Sequence, residues 1–412
     1  MGDASPRVLW VSPRWPLPAS DGARVATLSL LREVARTVPA VDLLAFTDER
    51  PETAQARAEL GVARTFLVPI ESAGLGAAQW AAAARALVDP GTVPMTFARF
   101  RRPERLDAVL PAGERWDAVV FDGLHGAAPF YRAGAFAFPE RLGRVYYRAH
   151  NVEWQLWDQS VDSAATPFHR VALRAQARAV RRFESGLLRR ATAVFPVSDE
   201  DRGRFAREVP EARLETLPIG FPFITPTPLG PGPALKLLFL GKLDWTPNRD
   251  GLLWFLKEVW PEASAKRPEL ELIVAGSGDP GALRRTGLLD QPRIAFRGRV
   301  ADLAPLYAEC AAAAVPIFLG SGTRVKAIEA ARYGRACVST ALGVEGIGLA
   351  PGRSYLRAES VREWIDALVG LSPADCARLG QAAFDEARAG FEASAIGDRL
   401  ARVLRAGQPS ST

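Results

Sequence analysis

Short apolar runs of five to seven residues recur along the whole chain, and helix-length segments fill most of the gaps between them. This alternation restricts the fold more than any other feature. The runs are nearly continuous rather than apolar and polar by turns, as strands buried on both faces require, and parallel neighbours need a long crossover between them. In the first half the runs are "RVLWVS" (7–12), "VDLLAF" (41–46), "TFLVPI" (65–70), "DAVVFD" (117–122), "RVYYRAH" (144–150) and "TAVFPVS" (192–198). A second series follows: "LKLLFLG" (235–241), "LELIVAG" (270–276), "RIAFRG" (293–298), "AAAAVPI" (311–317) and "ACVST" (336–340). Between the two, residues 217–236 contain six prolines and three glycines, which excludes a helix interior and suits a semi-rigid connector. The pattern predicts an α/β protein of two doubly wound, Rossmann-like domains facing each other across a cleft. The expected segments are residues 1–222, a Pro-rich linker at 223–234, residues 235–390, and a C-terminal helix with a frayed tail at 391–412. Open sheets of this kind bind ligands at the carboxyl ends of their strands, so function is expected there.

Composition narrows the class. With 412 residues, 48% hydrophobic and 24% charged, the chain has material for two soluble cores. A net charge of +6 permits attraction to phosphates or an anionic surface without demanding either. Only five of the 52 cationic residues are lysines, so each lysine stands out. Cys310, Cys337 and Cys376 are few and widely spaced and fit neither a disulfide framework nor a zinc site. A reducing cytoplasm is expected, with no bound metal. The start "MGDASPRVLWVSP" lacks a signal peptide's basic and apolar regions, and no run approaches the ~18 apolar residues of a bilayer span. Membrane contact is then peripheral at most. Residues 168–190, with seven arginines against one acidic residue, read either as a face for anionic lipid or as an ordinary solvated face.

The stretch "LGSGTRVKAIEAARYG" (319–334) reads as a glycine-flanked turn opening a helix, with Arg324 and Lys326 in the first helical turn. A helix start carries partial positive charge and unsatisfied N–H groups, so it favours Asp or Glu there and penalises two cations. An anionic ligand resolves the conflict. Gly322 and Thr323 allow close backbone approach to it, and Arg324 and Lys326 add charge-assisted hydrogen bonds. In the alternative the helix starts later, the two cations are solvated and Glu329 pairs with Lys326 at i, i+3.

Four motifs together resemble the retaining GT-B glycosyltransferases of the large family that includes bacterial polysaccharide and lipid glycosyltransferases, glycosyltransferase family 4-like. They are "VLWVSPRWPLPASDGARVATLSLL", "YRAHNVEW", "LGKLDWTPNRDGLLWFLKEVWP" and "GSGTRVKAIEAARYGRACVSTALGVEGI", in the family's order and spanning nearly the whole chain. The resemblance implies a nucleoside diphosphate-sugar held mainly by the second domain, an acceptor held mainly by the first, closure around both, and no metal or other cofactor. It implies that Glu329 takes the ribose hydroxyls and that Lys242 and Arg249 join Arg324 and Lys326 at the diphosphate. Gly298, Arg299 and Val300 would read the base, and His150 would contact the transferred sugar. One position departs from the family: where it often has Glu, eight residues before the ribose-binding one, this chain has Ser321. That leaves a sugar contact or a helix cap for Ser321.

Each of these residues also has a plainer reading. Pro247 and Asn248 are a helix-start signal, which would leave Lys242 and Arg249 as surface cations. In "PLPASDGARVATL", Gly22 lets N–H groups at a helix start reach a phosphate, while Asp21 borders the acceptor or is an N-cap. His150 ends a buried strand, the place where polar groups face ligands, whereas His125 and His169 have no comparable setting. Glu153 orients His150 or caps the next helix. The function implied is transfer of a hexose-type sugar to a hydroxyl of a saccharide, lipid-linked or small-molecule acceptor, with retention of configuration. A nucleotide-sugar epimerase or a non-catalytic scaffold on the same fold are the alternatives. A nucleic-acid partner is not expected.

Overall fold

A computed structural model of the chain describes residues 5–18, 22–47, 53–70, 94, 97, 100, 104–132, 135–162, 166–223, 235–300, 302–319 and 324–406. The chain divides into two compact units, residues 1–220 with 394–412, and residues 221–393.

The first unit is built on a six-stranded parallel sheet: β1 (Val8–Ser12), β2 (Val41–Thr47), β3 (Arg64–Pro69), β4 (Ala118–Asp122), β7 (Arg144–Ala149) and β8 (Ala193–Pro196). Strands β5 (Tyr131–Arg132) and β6 (Ala135–Phe136) form a separate small hairpin. The sheet order is β3-β2-β1-β4-β7-β8. Every residue of β1, β2 and β4 is buried, whereas β3 at the edge is mostly half-buried, as a sheet covered on both faces requires. The two faces divide by strand alternation. Leu9, Val11, Phe121 and Tyr147 enter one core, and Val8, Trp10, Val120 and Tyr146 enter the other. The helix Ala393–Ala406 supplies Ile396, Leu400, Ala401 and Leu404 to the second of these cores. The last helix therefore belongs to the first unit's core.

The second unit repeats the plan with β9 (Leu235–Leu240), β10 (Leu270–Ala275), β11 (Ile294–Gly298), β12 (Ala312–Val315), β13 (Ala336–Ser339) and the short β14 (Leu356–Arg357), in the order β11-β10-β9-β12-β13-β14. Ignoring the hairpin, both sheets have the strand order 3-2-1-4-5-6 of dinucleotide-binding sheets. In each, the chain reverses direction across the sheet beside the first strand, between β1 and β4 and between β9 and β12. The carboxyl ends of those strands are where this order opens a crevice. The helix Val325–Arg332 follows β12 and buries Ala327, Ile328, Ala330 and Ala331. Val325, placed toward the core by its spacing from Ile328, is only half-buried.

Candidate active site

At the switch point of the first sheet lies a cavity of about 200 Å³. Ser12 and Arg14 line it after β1, Arg24 and Thr27 from the first helix (Gly22–Thr37), Asp122, Gly123 and His125 after β4, and His150, Asn151 and Glu153 after β7. Gly123 adopts φ +102°, and a Cβ there would lie 3.5 Å from Pro13 and 3.8 Å from the His150 ring. The positive φ is what favours glycine there, since a Cβ at those distances would make only ordinary contacts.

A buried polar cluster floors the cavity. Asp122 is fully enclosed and accepts hydrogen bonds from Arg148 Nη1 at 2.8 Å and Trp10 Nε1 at 3.2 Å, and its Oδ1 lies 2.6 Å from His150 Nε2. Burial favours the neutral acid, but Arg148 and then His150 outweigh it and hold Asp122 well below the usual carboxylate range. An ionised Asp122 only accepts, so His150 Nε2 donates to it and Nδ1 is the ring nitrogen left over. Arg148 is 0% exposed. Its Nε and Nη2 find no hydrogen-bond partner among the described residues, so Asp122 is its one ion-pair partner there.

Beside this cluster, Glu184 reaches across from the helix Pro167–Arg190 to the start of the helix Glu153–Asp162. Its Oε2 accepts the backbone N–H of Glu153 at 3.0 Å and of Trp154 at 3.4 Å, and its Oε1 accepts the Tyr147 hydroxyl at 2.7 Å. Glu184 thus caps the helix from outside. Burial, reinforced by the charge of Glu153, pushes it well above the carboxylate range. Glu153 itself is pushed up to about 7 by burial, against a hydrogen bond from Asn151.

In the second unit the corresponding switch point carries the lysine expected from the sequence. Lys326 is half-buried at the first turn of its helix, and its ammonium donates to Asn248 Oδ1 and lies 5.1 Å from the centre of the Phe239 ring. Burial pushes it down to about 7, with Glu329 opposing and Arg324 adding to the fall. Among the described residues Lys326 and Glu329 form no ion pair, so the alternative pairing at i, i+3 is not made. Burial also raises Glu329, against the charges of Arg332 and Lys326.

Arg324 is placed differently from the expectation. It precedes the helix as its N-cap residue rather than lying within the first turn. Its side chain is 6% exposed and donates from Nη2 to Glu345 Oε2 at 3.3 Å. The glycine-flanked turn set the helix start one residue too early, because the backbone of Arg324 (φ −81°, ψ 63°) has not yet entered helical geometry. Lys242 follows β9, but its ammonium turns to Asp244 at 3.5 Å on a side chain 60% exposed. Arg249 pairs with its neighbour Asp250 at 2.8 Å. Gly298 ends the edge strand β11 at φ +62°, followed by exposed Arg299 and half-buried Val300. Gly22 opens the first helix. Asp21, Ser321, Gly322 and Thr323 lie outside the described residues.

Five site residues were missed: the buried Arg148 and Glu184, and Asp122, His125 and Asn248. Asp122 ends a buried strand, the same signal that singles out His150. His125, set aside for want of a comparable setting, lines the cavity and meets Phe97 edge-on at 4.7 Å. A short helix directly after β4 brings it there. Asn248 was taken as a helix-start residue, yet it is 3% exposed and its amide bridges the β9 end to Lys326.

Within the second unit, residues 234–372 match the family model for glycosyl transferases group 1. A 44.6 kDa protein of the cps region of Klebsiella pneumoniae is 28% identical over 129 residues, covering 30% of this chain. The match covers 33% of that protein, so the chain spans about a third of the length of the curated relative it matches. Among solved structures, sucrose-phosphate synthase from Thermosynechococcus elongatus is 18% identical with a TM-score of 0.65, covering 97% of this chain and 98% of that one. HepE of Anabaena, solved with UDP and glucose, is 14% identical with a TM-score of 0.60, covering 97% and 99%. WaaG, a glycosyltransferase involved in lipopolysaccharide biosynthesis, is 14% identical with a TM-score of 0.62, covering 96% and 99%. By these matches the chain has the GT-B fold, and residues 234–372 are similar to the glycosyl transferases group 1 family.

Proposed function

We propose that this protein is a glycosyltransferase that moves a hexose-type sugar from a nucleoside diphosphate-sugar to an acceptor hydroxyl, with retention of configuration. The observation that carries the reading is Lys326: a half-buried ammonium at a helix start on the sheet's switch point, facing an amide rather than a carboxylate. A diphosphate supplies the missing negative charge, and the N–H groups of the first helical turn add to it. Arg324, held by Glu345, serves this role from a buried position, and Lys242 and Arg249 exchange their present partners for the ligand. Glu329, which makes no ion pair among the described residues, takes the ribose hydroxyls.

In the reaction the bond between the sugar's C1 and the diphosphate breaks while the acceptor oxygen bonds to C1 from the same face. The acceptor proton passes to a diphosphate oxygen. Charge building on the leaving diphosphate is stabilised by Lys326, Arg324 and helix N–H groups, without a metal ion. The first domain takes the acceptor, and His150 accepts a sugar hydroxyl at Nδ1. The acceptor is a saccharide, lipid-linked or small-molecule hydroxyl, and the HepE and WaaG structures and the cps-region relative favour envelope or polysaccharide synthesis. No described helix is long and apolar enough to cross a membrane. We place the protein in the cytoplasm, where the arginines of the helix Pro167–Arg190 form a solvated face open to peripheral contact with an anionic membrane.

The test is incubation of the purified protein with UDP-, GDP-, ADP- and dTDP-sugars, with and without cell-envelope extract. Sugar transfer that needs the extract is the expected result. Isomerised donor without any acceptor would make the protein an epimerase, and no consumption of any donor would reduce it to a scaffold.

A further inference from the structure

We infer that Asn248 is a positioning residue for the donor diphosphate: its neutral amide oxygen fixes the Lys326 ammonium without cancelling its charge, so that nucleotide-sugar binding draws a proton onto the lysine. This rests on the proposed function and adds a residue and a linkage to it.

Both ends of the Asn248 amide are engaged. Nδ2 donates to the carbonyl of Lys242 at 3.0 Å, and Oδ1 accepts from Lys326 Nζ. The side chain is 3% exposed, so its amide has no freedom to turn to solvent. Gly241, the residue after β9, closes the arrangement. A Cβ there would lie 2.7 Å from Asn248 Nδ2 and 3.2 Å from Lys326 Nζ, so only glycine leaves room for both groups.

A half-buried lysine is ordinarily matched by a carboxylate. Here the position that meets it carries the amide isostere of aspartate. The charged groups bearing on Lys326 are Arg324 and Glu329, both from its own segment and of opposite sign. From β9 and the helix Thr246–Trp254 it meets only the Phe239 ring and Asn248 among the described residues. The nearby Lys242 and Arg249 are turned to Asp244 and Asp250. An aspartate at 248 would give the ammonium a permanent counter-ion and compete with a diphosphate for it. The amide instead orients one N–H and leaves two donors and the whole charge available. With burial pushing Lys326 down to about 7, roughly half of the empty sites hold a neutral amine at neutral pH, and a bound diphosphate draws it back to the ammonium form.

The experiment is calorimetric titration of the full chain with UDP-, GDP-, ADP- and dTDP-glucose, whose diphosphate diesters do not titrate near neutrality. Running it at each pH in two phosphate-free buffers of different ionisation heat counts protons taken up. With whichever sugar nucleotide binds, the wild type is expected to take up about half a proton at pH 7, nearly none at pH 5.5 and close to one at pH 8.5. Asn248→Asp is expected to bind about tenfold more weakly or worse and to take up nearly no proton at pH 7. Unchanged affinity and uptake in a folded N248D protein overturns the role of Asn248. Should N248D not fold, the wild type still decides, since binding without uptake at pH 7 and 8.5 overturns the inference while leaving the proposed function standing. If none of the four binds, the proposed function fails first and takes this inference with it.

Discussion

Replacing Asp122 with Asn tests whether the floor of the first-domain cavity is an electrostatic assembly. The amide keeps the shape but has a single acceptor oxygen, so it can serve Arg148 and His150 on the Oδ1 side or Trp10 on the Oδ2 side but not both, and it removes the negative charge facing Arg148. That guanidinium is 0% exposed and has no other ion-pair partner among the described residues. Breaking a buried pair by removing one partner costs about 3–5 kcal/mol, because the remaining charge is left buried and uncompensated. In a domain of this size a kilocalorie moves the midpoint by roughly 2–4 °C, so the first domain's transition should fall by roughly 6–20 °C. The assay is thermal and urea unfolding of wild type, D122N, R148M and the double variant. Removing both charges together should recover a large part of the loss. Asp122 has its folded pKa lowered, so its stabilisation is complete above the unfolded value of about 4 and lost as pH falls below it. The gap between wild type and D122N should therefore hold at pH 7 and shrink in acid. A D122N protein within about 0.5 kcal/mol of wild type at pH 7, the range of an ordinary surface change, would refute the reasoning.

Two further outcomes follow from the same sites. Glu153 has its folded pKa raised to about 7, so its contribution is present below the unfolded value and is lost as pH rises through about 7. Glu153→Gln should consequently lose the pH dependence that Glu153 supplies and gain about 1–2 kcal/mol on wild type between pH 5.5 and pH 8, measured by urea titration. Lys326→Ala should fold normally and lose about 10²–10³-fold in sugar-transfer rate, the scale of removing one group that stabilises developing charge; near-normal turnover would remove Lys326 from the mechanism.

The sheet architecture was legible because central parallel strands are buried on both faces, so their sequences run apolar almost without interruption. The edges were harder. β14 spans only Leu356–Arg357 and β5 and β6 two residues each, too short to carry a pattern. The C-terminal helix was legible as a helix, but nothing in its periodicity says which core it joins; its apolar stripe would fit either. His150 was found because it ends a strand, and Asp122 was available by the same rule. It was passed over because no resemblance pointed to it and its partners lie far away in sequence. Arg148 and Glu184 become site residues only through partners 26 and 37 residues away in sequence, Asp122 and Tyr147. Spacing along the chain carries no trace of such pairs. Asn248 shows the same limit. A Pro-Asn pair at a helix start explains itself locally, and only the folded β9 end reveals that the amide serves Lys326.

A crystal structure of the protein with UDP bound tests the central claim most directly. The diphosphate is expected at the start of the helix Val325–Arg332, with an oxygen within about 3 Å of Lys326 Nζ and the ribose at Glu329. UDP seated in the cavity around Asp122 and His150 with Lys326 untouched would contradict it.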